Sequence, residues 1–259
     1  MTARSLVVNA DDLGQSDGVN AGIAEAVAAG IVTSASLMVR WPAAPAAARW
    51  AATRPEVSVG VHIDLGEWVY RDGRWAPLYQ VVDPDDADAV DDELSGQLGR
   101  FVRLLGRLPT HLDSHQHAHL HEPLRSRLLA AGERLGVPVR GASDRVRYCG
   151  GFYGQSGRGE PYPEGITFEA LLRLLDGLPA GVTELACHPG ADEIADLDTP
   201  YRTERGVERR VLCDPRLPGA LAARGIALQT FAALQGGTPR PPALPPLAPD
   251  RLPAGATTP

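Results

Sequence analysis

The chain has 259 residues, a length that suits one large α/β domain with a sizeable buried core. Its 25 Lys and Arg stand against 32 Asp and Glu, a formal net charge of −7, which argues against general binding to a phosphate backbone and so against a nucleic-acid partner. Three widely spaced cysteines, Cys149, Cys187 and Cys213, make no disulfide framework, and MTARSLVVNADD has too few apolar residues for a secretory leader, so the expected location is cytoplasmic.

Short β-branched runs alternate with Ala- and Leu-rich segments, the pattern of βα units around a parallel sheet buried on both faces. Leu6 to Asn9 reads as the first strand, Val19 to Ala29 as a helix closed by Gly30, and Thr33 to Val39 as the second strand. Ala26 to Val39 is the least polar long stretch, but Gly, Thr and Ser interrupt it short of the roughly 18 to 20 apolar residues of a membrane span. Pro42 and Pro45 open an Ala-rich helix to about Thr53, and Val57 to Leu65 is the third strand. Residues 66 to 88, with Trp68, Tyr70, Trp75, Tyr79 and many aspartates, read as a loop over one end of the barrel or a small satellite core.

Asp91 to Leu105 reads as a helix, His111 to His115 as the fourth strand, Leu124 to Leu135 as a helix and Val137 to Arg140 as a strand. CGGFYGQSGRG lacks the GK[ST] ending of a phosphate cradle and reads as a mobile loop. Phe168 to Leu178 is then a helix, Val182 to Cys187 a strand, Glu204 to Leu212 and Leu217 to Arg224 helices, and Ala227 to Phe231 the last strand. The fold class is α/β: one irregular (β/α) barrel over residues 1–235, followed by a Pro-rich disordered tail at 236–259.

THLDSHQHAHLH holds five of the seven histidines within eleven residues, and strand alternation puts His111, Asp113 and His115 on one face. His115 stands at the strand's carboxyl end, where α/β barrels build their active sites. His111 and Asp113 read as supports, and His117, His119 and His121 as solvated residues of the following loop. The pair Asp11–Asp12 follows the first apolar run directly; two adjacent carboxylates repel and cannot both project the same way from a regular strand. A division into one metal ligand and one free general base suits such a pair, and a turn cap is the structural alternative. His62 in GVHIDLG and His188 in ELACHPG complete the set.

All four features fall at the same end of different strands. Asp12, His62 and His115 give two imidazoles and one carboxylate, a donor set compatible with catalytic zinc that leaves positions for water and substrate; another divalent ion such as magnesium is also compatible. A metal-dependent sugar isomerase or epimerase, or a non-catalytic carbohydrate- or metal-binding protein, would suit similar residues.

The motifs NADDLGQSDGVNAGI, TSASLMV, GVHIDLG, PTHLDSHQHAH and ELACHPG, in this order over about residues 5 to 233, resemble those of the YdjC-like carbohydrate deacetylase family. The resemblance implies a TIM-barrel-like, NodB-like seven-stranded fold and the metal-dependent removal of N-acetyl groups from amino sugars, with an N-acetylated sugar as the partner. It implies Asp12, His62 and His115 as metal ligands, Asp11 as base, and His188 as the second catalytic group, protonating the departing amine as imidazolium. Tyr201, Arg202 and Glu204 in TPYRTERGVE match a family segment without an assigned role. The sequence leaves the metal, zinc or magnesium, and a homo-oligomeric state open.

Overall fold

Leu6, Val7 and Val8 lie in succession in the first apolar run and are all fully buried, so the strand that carries them has no solvent face. In the computed structural model, which describes residues 3–235, this is β1 (Arg4–Leu13), the centre of a parallel sheet. Helix α1 (Asp17–Ala29) follows, capped by the Ser16 hydroxyl accepting from the Val19 amide at 3.1 Å, and it leads into β2 (Ser34–Leu37). Helix α2 (Ala44–Ala52), with Pro45 in its first turn, crosses to β3 (Ser58–Ile63). After the antiparallel pair β4 (Gly66–Arg71) and β5 (Arg74–Gln80), helix α3 (Ala87–Leu105) returns the chain to β6 (Leu112–Ser114). Helix α4 (Leu124–Leu135), β7 (Arg147–Cys149), helix α5 (Phe168–Asp176) and β8 (Gly181–Cys187) come next. Helices α6 (Thr203–Leu212) and α7 (Leu217–Ala223) then lead to β9 (Ile226–Leu228).

The strand order is β6-β3-β2-β1-β8-β7, and every pairing in this sheet is parallel. Strand β9 joins the amino-terminal half of β1, pairing Arg4 to Leu6 with Ile226 to Leu228, while β2 takes Asn9 onward. The architecture is a single α/β domain with a curled parallel sheet, an incomplete relative of the TIM barrel. One core cluster, from Leu6 through Ile23, Val61, Phe101 and Leu128 to Leu221, joins strands to helices around it.

Four readings from the sequence change. Residues 66–80 form a hairpin, not a loop: Asp72 and Gly73, both at positive φ (53° and 80°), make the left-handed turn that matches strand twist. Residues 137–140 make one bridge, Leu112 to Val139, instead of a strand. Phe231 lies beyond β9 and stacks on His111 at 4.0 Å. The glycine-rich segment is tied in place: the Tyr201 hydroxyl accepts from the Gly154 amide at 2.8 Å, and Phe152 is fully buried. The Pro-rich tail lies outside the described residues. All three cysteines are free, and among the described residues no helix is long and apolar enough to cross a membrane.

Candidate active site

A regular strand would send Asp11 and Asp12 to opposite faces. Instead, the β1–β2 register shifts between Ala10 and Leu13, and Asp12 adopts a left-handed φ of 67°. For a residue with a Cβ this conformation costs about 1–3 kcal/mol and persists only when its surroundings impose it. Here the Gln15 amide donates to the Asp12 carbonyl at 3.0 Å, and the Met38 amide to the Leu13 carbonyl at 2.8 Å. Both carboxylates consequently line one cavity of about 610 Å³ at the carboxyl ends of the strands.

His62, on β3, is the register partner of Asp113 on β6, and the two side chains meet through Nδ1 and Oδ1 at 2.8 Å. That bond turns Nε2 toward Asp12 Oδ1, 3.3 Å away. His115 follows β6 directly; its Nδ1 lies 3.2 Å from the same oxygen and its Nε2 3.4 Å from Glu67 Oε2 of the hairpin. Donor atoms of Asp12, His62 and His115 all lie within 4.8 Å of one another.

These residues fit a divalent cation. With the Nδ1 proton of His62 given to Asp113, its Nε2 lone pair faces a carboxylate oxygen, and His115 presents a second ring nitrogen to the same oxygen. Acceptors aimed at one another need protons or a cation between them. Burial works against charge on both rings, yet the surrounding carboxylates prevail: Asp113 and Asp11 push His62 up to about 9, and Asp12 and Glu67 raise His115 well above its usual range. Asp11, Asp12, Glu67, Asp113, Glu184 and Glu208 are all buried here, and among the described residues only Arg140 and Arg205 oppose them as buried guanidiniums.

Asp11 is not a free carboxylate. Arg140, presented by the 137–140 segment, grips it with two hydrogen bonds of 2.6 and 2.7 Å, and the Asn9 amide adds a third at 2.9 Å. Burial would raise its pKa, but Arg140 and His62 together more than offset this and hold it below the usual carboxylate range. Arg140 also reaches Asp113 and Glu184, each at 2.7 Å. Arg205 of α6 donates to Asp12 Oδ2 at 2.7 Å, and together with His115 and His62 it outweighs the burial that would otherwise lift that carboxyl.

His188, at the end of β8, faces Asp11 with Nε2 3.7 Å from Oδ2. Its backbone amide donates to Glu208 Oε2 at 2.5 Å, and its Nδ1 lies 3.9 Å from Glu208 Oε1, which also accepts the Tyr201 hydroxyl. Tyr153 and Tyr201 stack on each other at 4.4 Å and set their rings edgewise to the imidazole. Burial pushes His188 down to about 4 and Glu208 up to about 8. That direction favours the neutral ring over the imidazolium expected from the sequence.

The five site residues expected from the sequence thus share one cavity. His111 and Asp113 support them through Ser36: its hydroxyl donates to Asp113 at 2.6 Å and lies 2.9 Å from His111 Nε2. Two of the loop histidines, His117 and His119, are less solvated than expected, while His121 is exposed as expected. His119 is buried against Ser114 at 2.6 Å, His117 lines the cavity and meets the Tyr148 hydroxyl at 3.0 Å, and His121 also lines it. Arg202 and Glu204 secure surrounding loops through the Ile194 carbonyl and Gln155. The sequence reading missed Arg140, Arg205, Glu208, Glu184 and Glu67. Only α6 carries a signal for two of them: Arg205 and Glu208 occupy, with Leu212, one buried helical stripe where apolar residues belong.

A family model described as YdjC-like protein matches residues 5–223. The chain belongs to the YdjC-like family. Similar proteins include the carbohydrate deacetylase of Geobacillus stearothermophilus, 35% identical over 248 residues that cover 88% of this chain and 97% of that protein. The chitooligosaccharide deacetylase of Serratia marcescens is 31% identical, with 88% and 98% covered. Among solved structures, a putative cellobiose-phosphate cleavage protein from Enterococcus faecalis V583 shares the fold at a TM-score of 0.72 and 24% identity, over 90% of this chain and 99% of that one. A family 4 carbohydrate esterase from Streptomyces lividans, solved with acetate, shares it more distantly, with a TM-score of 0.51 and 13% identity over 89% and 94%.

Proposed function

We propose that this YdjC-like protein is a metal-dependent carbohydrate N-deacetylase that hydrolyses the acetamido group of an amino sugar to acetate and a free amine. One observation carries the reading: a donor set of two imidazoles and a carboxylate opens into the same cavity as the Asp11–His188 pair. A binding protein has no need of that pair, and the names of the relatives agree with the reading.

Asp12, His62 and His115 would hold the metal, and two ring nitrogens favour a transition ion such as zinc over magnesium, which prefers oxygen ligands. A divalent ion held there supplies a Lewis acid, polarising the acetamido carbonyl and acidifying water beside it. Asp11, kept ionised and oriented by Arg140, takes the proton from the attacking water. His188 Nε2, within 3.7 Å of Asp11 Oδ2, receives that proton and delivers it to the amide nitrogen as the C–N bond breaks. The water oxygen leaves in acetate, and the imidazole returns to its neutral state.

The test is a panel of N-acetylated sugars incubated with metal-stripped and metal-restored protein and followed by mass. The proposal expects loss of an acetyl group that depends on the restored ion. Isomerisation without acetate release, or no turnover with any metal, would overturn it.

A further inference from the structure

The floor of the cavity and its mouth differ in chemistry. Asp11, Asp12 and His62 at the floor are at most 2% exposed, whereas Trp75, lining the same cavity from the hairpin, is 54% exposed. Trp75 on β5 is the register partner of Tyr70 on β4, and their rings meet edge to face with centroids 5.5 Å apart. Arg158, from the glycine-rich loop, lies over the Tyr70 ring with its guanidinium carbon 5.2 Å from the centroid. Arg158 thus packs on Tyr70, and the edge of Tyr70 braces the indole, while half of the indole's surface stays in water. Gly157 and Gly159 line the cavity beside Arg158, so the loop adds backbone there instead of bulk, and a Cβ on Gly157 would meet open space.

A braced aromatic ring held open to solvent at the mouth of a polar cavity suits a ligand that is flat and apolar on one face and polar around its rim. A pyranose ring has this form: axial C–H bonds face an indole, and equatorial hydroxyls meet guanidinium and amide groups such as those of Arg71, Arg158 and Gln155, which line the cavity. The volume of about 610 Å³ lies within the roughly 300–1,000 Å³ of ligand pockets, and exceeds what one acetylated ring at the floor occupies.

We propose that Trp75, braced by Tyr70, stacks on the sugar ring adjoining the one that loses its acetyl group, so that the hairpin selects oligosaccharides over single amino sugars. This rests on the deacetylase reading above. The test measures kcat/KM for acetate release from N-acetylglucosamine and from its β-linked dimer and trimer, with the wild type, Trp75→Ala and Trp75→Phe. The expected result is that Trp75→Ala lowers the dimer-to-monomer ratio of kcat/KM by about tenfold, mainly through KM, and that Trp75→Phe recovers most of it. An unchanged ratio overturns the proposal, including the case where all substrates lose activity equally. Absence of acetate release from every substrate by the wild type would reject the deacetylase reading instead. The subsite is then tested by calorimetric titration with the same trimer, where equal affinities for wild type and Trp75→Ala overturn it.

Discussion

Asp11 and Asp12 are chemically identical neighbours that their partners hold in different settings. Arg140 spans both oxygens of Asp11 and leaves it facing His188, whereas Arg205 takes one oxygen of Asp12 and leaves the other facing two imidazoles. Substitution should separate the two roles. Asp11→Asn is expected to retain the metal and to lower turnover by about 10² to 10⁴-fold, because the proposed mechanism loses its general base and keeps its ligand set. His115→Ala is expected to lose the metal itself, read by elemental analysis after dialysis, with the fold preserved by circular dichroism. Normal turnover in the first variant, or full metal content in the second, would contradict the assignment. Lysine cannot replace Arg140 in this geometry, since one ammonium does not reproduce a planar fork shared among three carboxylates.

At the scale of elements, two contacts carry local geometry into the site. Gln116, at a left-handed φ of 47°, accepts from the Trp68 amide at 2.8 Å and donates to the Trp68 carbonyl at 2.9 Å, imitating a neighbouring strand. It thereby ties the β4–β5 hairpin to the turn that starts at His115. Gln116→Ala is expected to raise KM several-fold with a smaller change in kcat, and to speed amide exchange at Trp68, because the bonds are exposed and worth about 0.5–1.5 kcal/mol each. Gly22 makes the second contact: α1 lies so close to the segment after His188 that a Cβ would stand 2.2 Å from the Gly190 backbone. Gly22→Ala must push the helix and this segment apart, and urea denaturation should show a loss of about 1–3 kcal/mol or more. No loss would mean that the packing is looser than these distances require. Element identity was legible where the signal is local. The helices follow from their apolar period, and Asp72–Gly73 between alternating aromatics is a hairpin signal that the loop reading passed over. The single bridge at Val139 was not legible, since a β-branched run does not reveal how many partners it will find.

At the scale of the whole molecule, burial of so many carboxylates makes stability depend on pH. Glu184 is fully enclosed, and burial raises it to about 7 despite Arg140. A carboxyl raised in the folded state contributes stability that is complete below its unfolded pKa of 4.5 and is lost as pH rises through about 7. Arg140 directs its two bonds to Glu184 at Oε1, an acceptor that glutamine also offers. Glu184→Gln should therefore flatten the decline in unfolding free energy between pH 5 and 8, measured by denaturant titration; an unaltered slope would show that another group controls it.

The sequence alone determined the α/β class, the succession of most βα units and the five residues at their carboxyl ends, because period, turn chemistry and strand-end position are properties of neighbouring residues. The tertiary structure decided what those residues face. Arg140 reaches Asp11 across 129 positions and Arg205 reaches Asp12 across 193; the α6 stripe marks Arg205 as buried, but no local pattern names the carboxylate either arginine will meet. The surroundings of His188 were decided in the same way: Glu208, Tyr153 and Tyr201 meet the ring only once distant segments have come together, and that enclosure favours its neutral form.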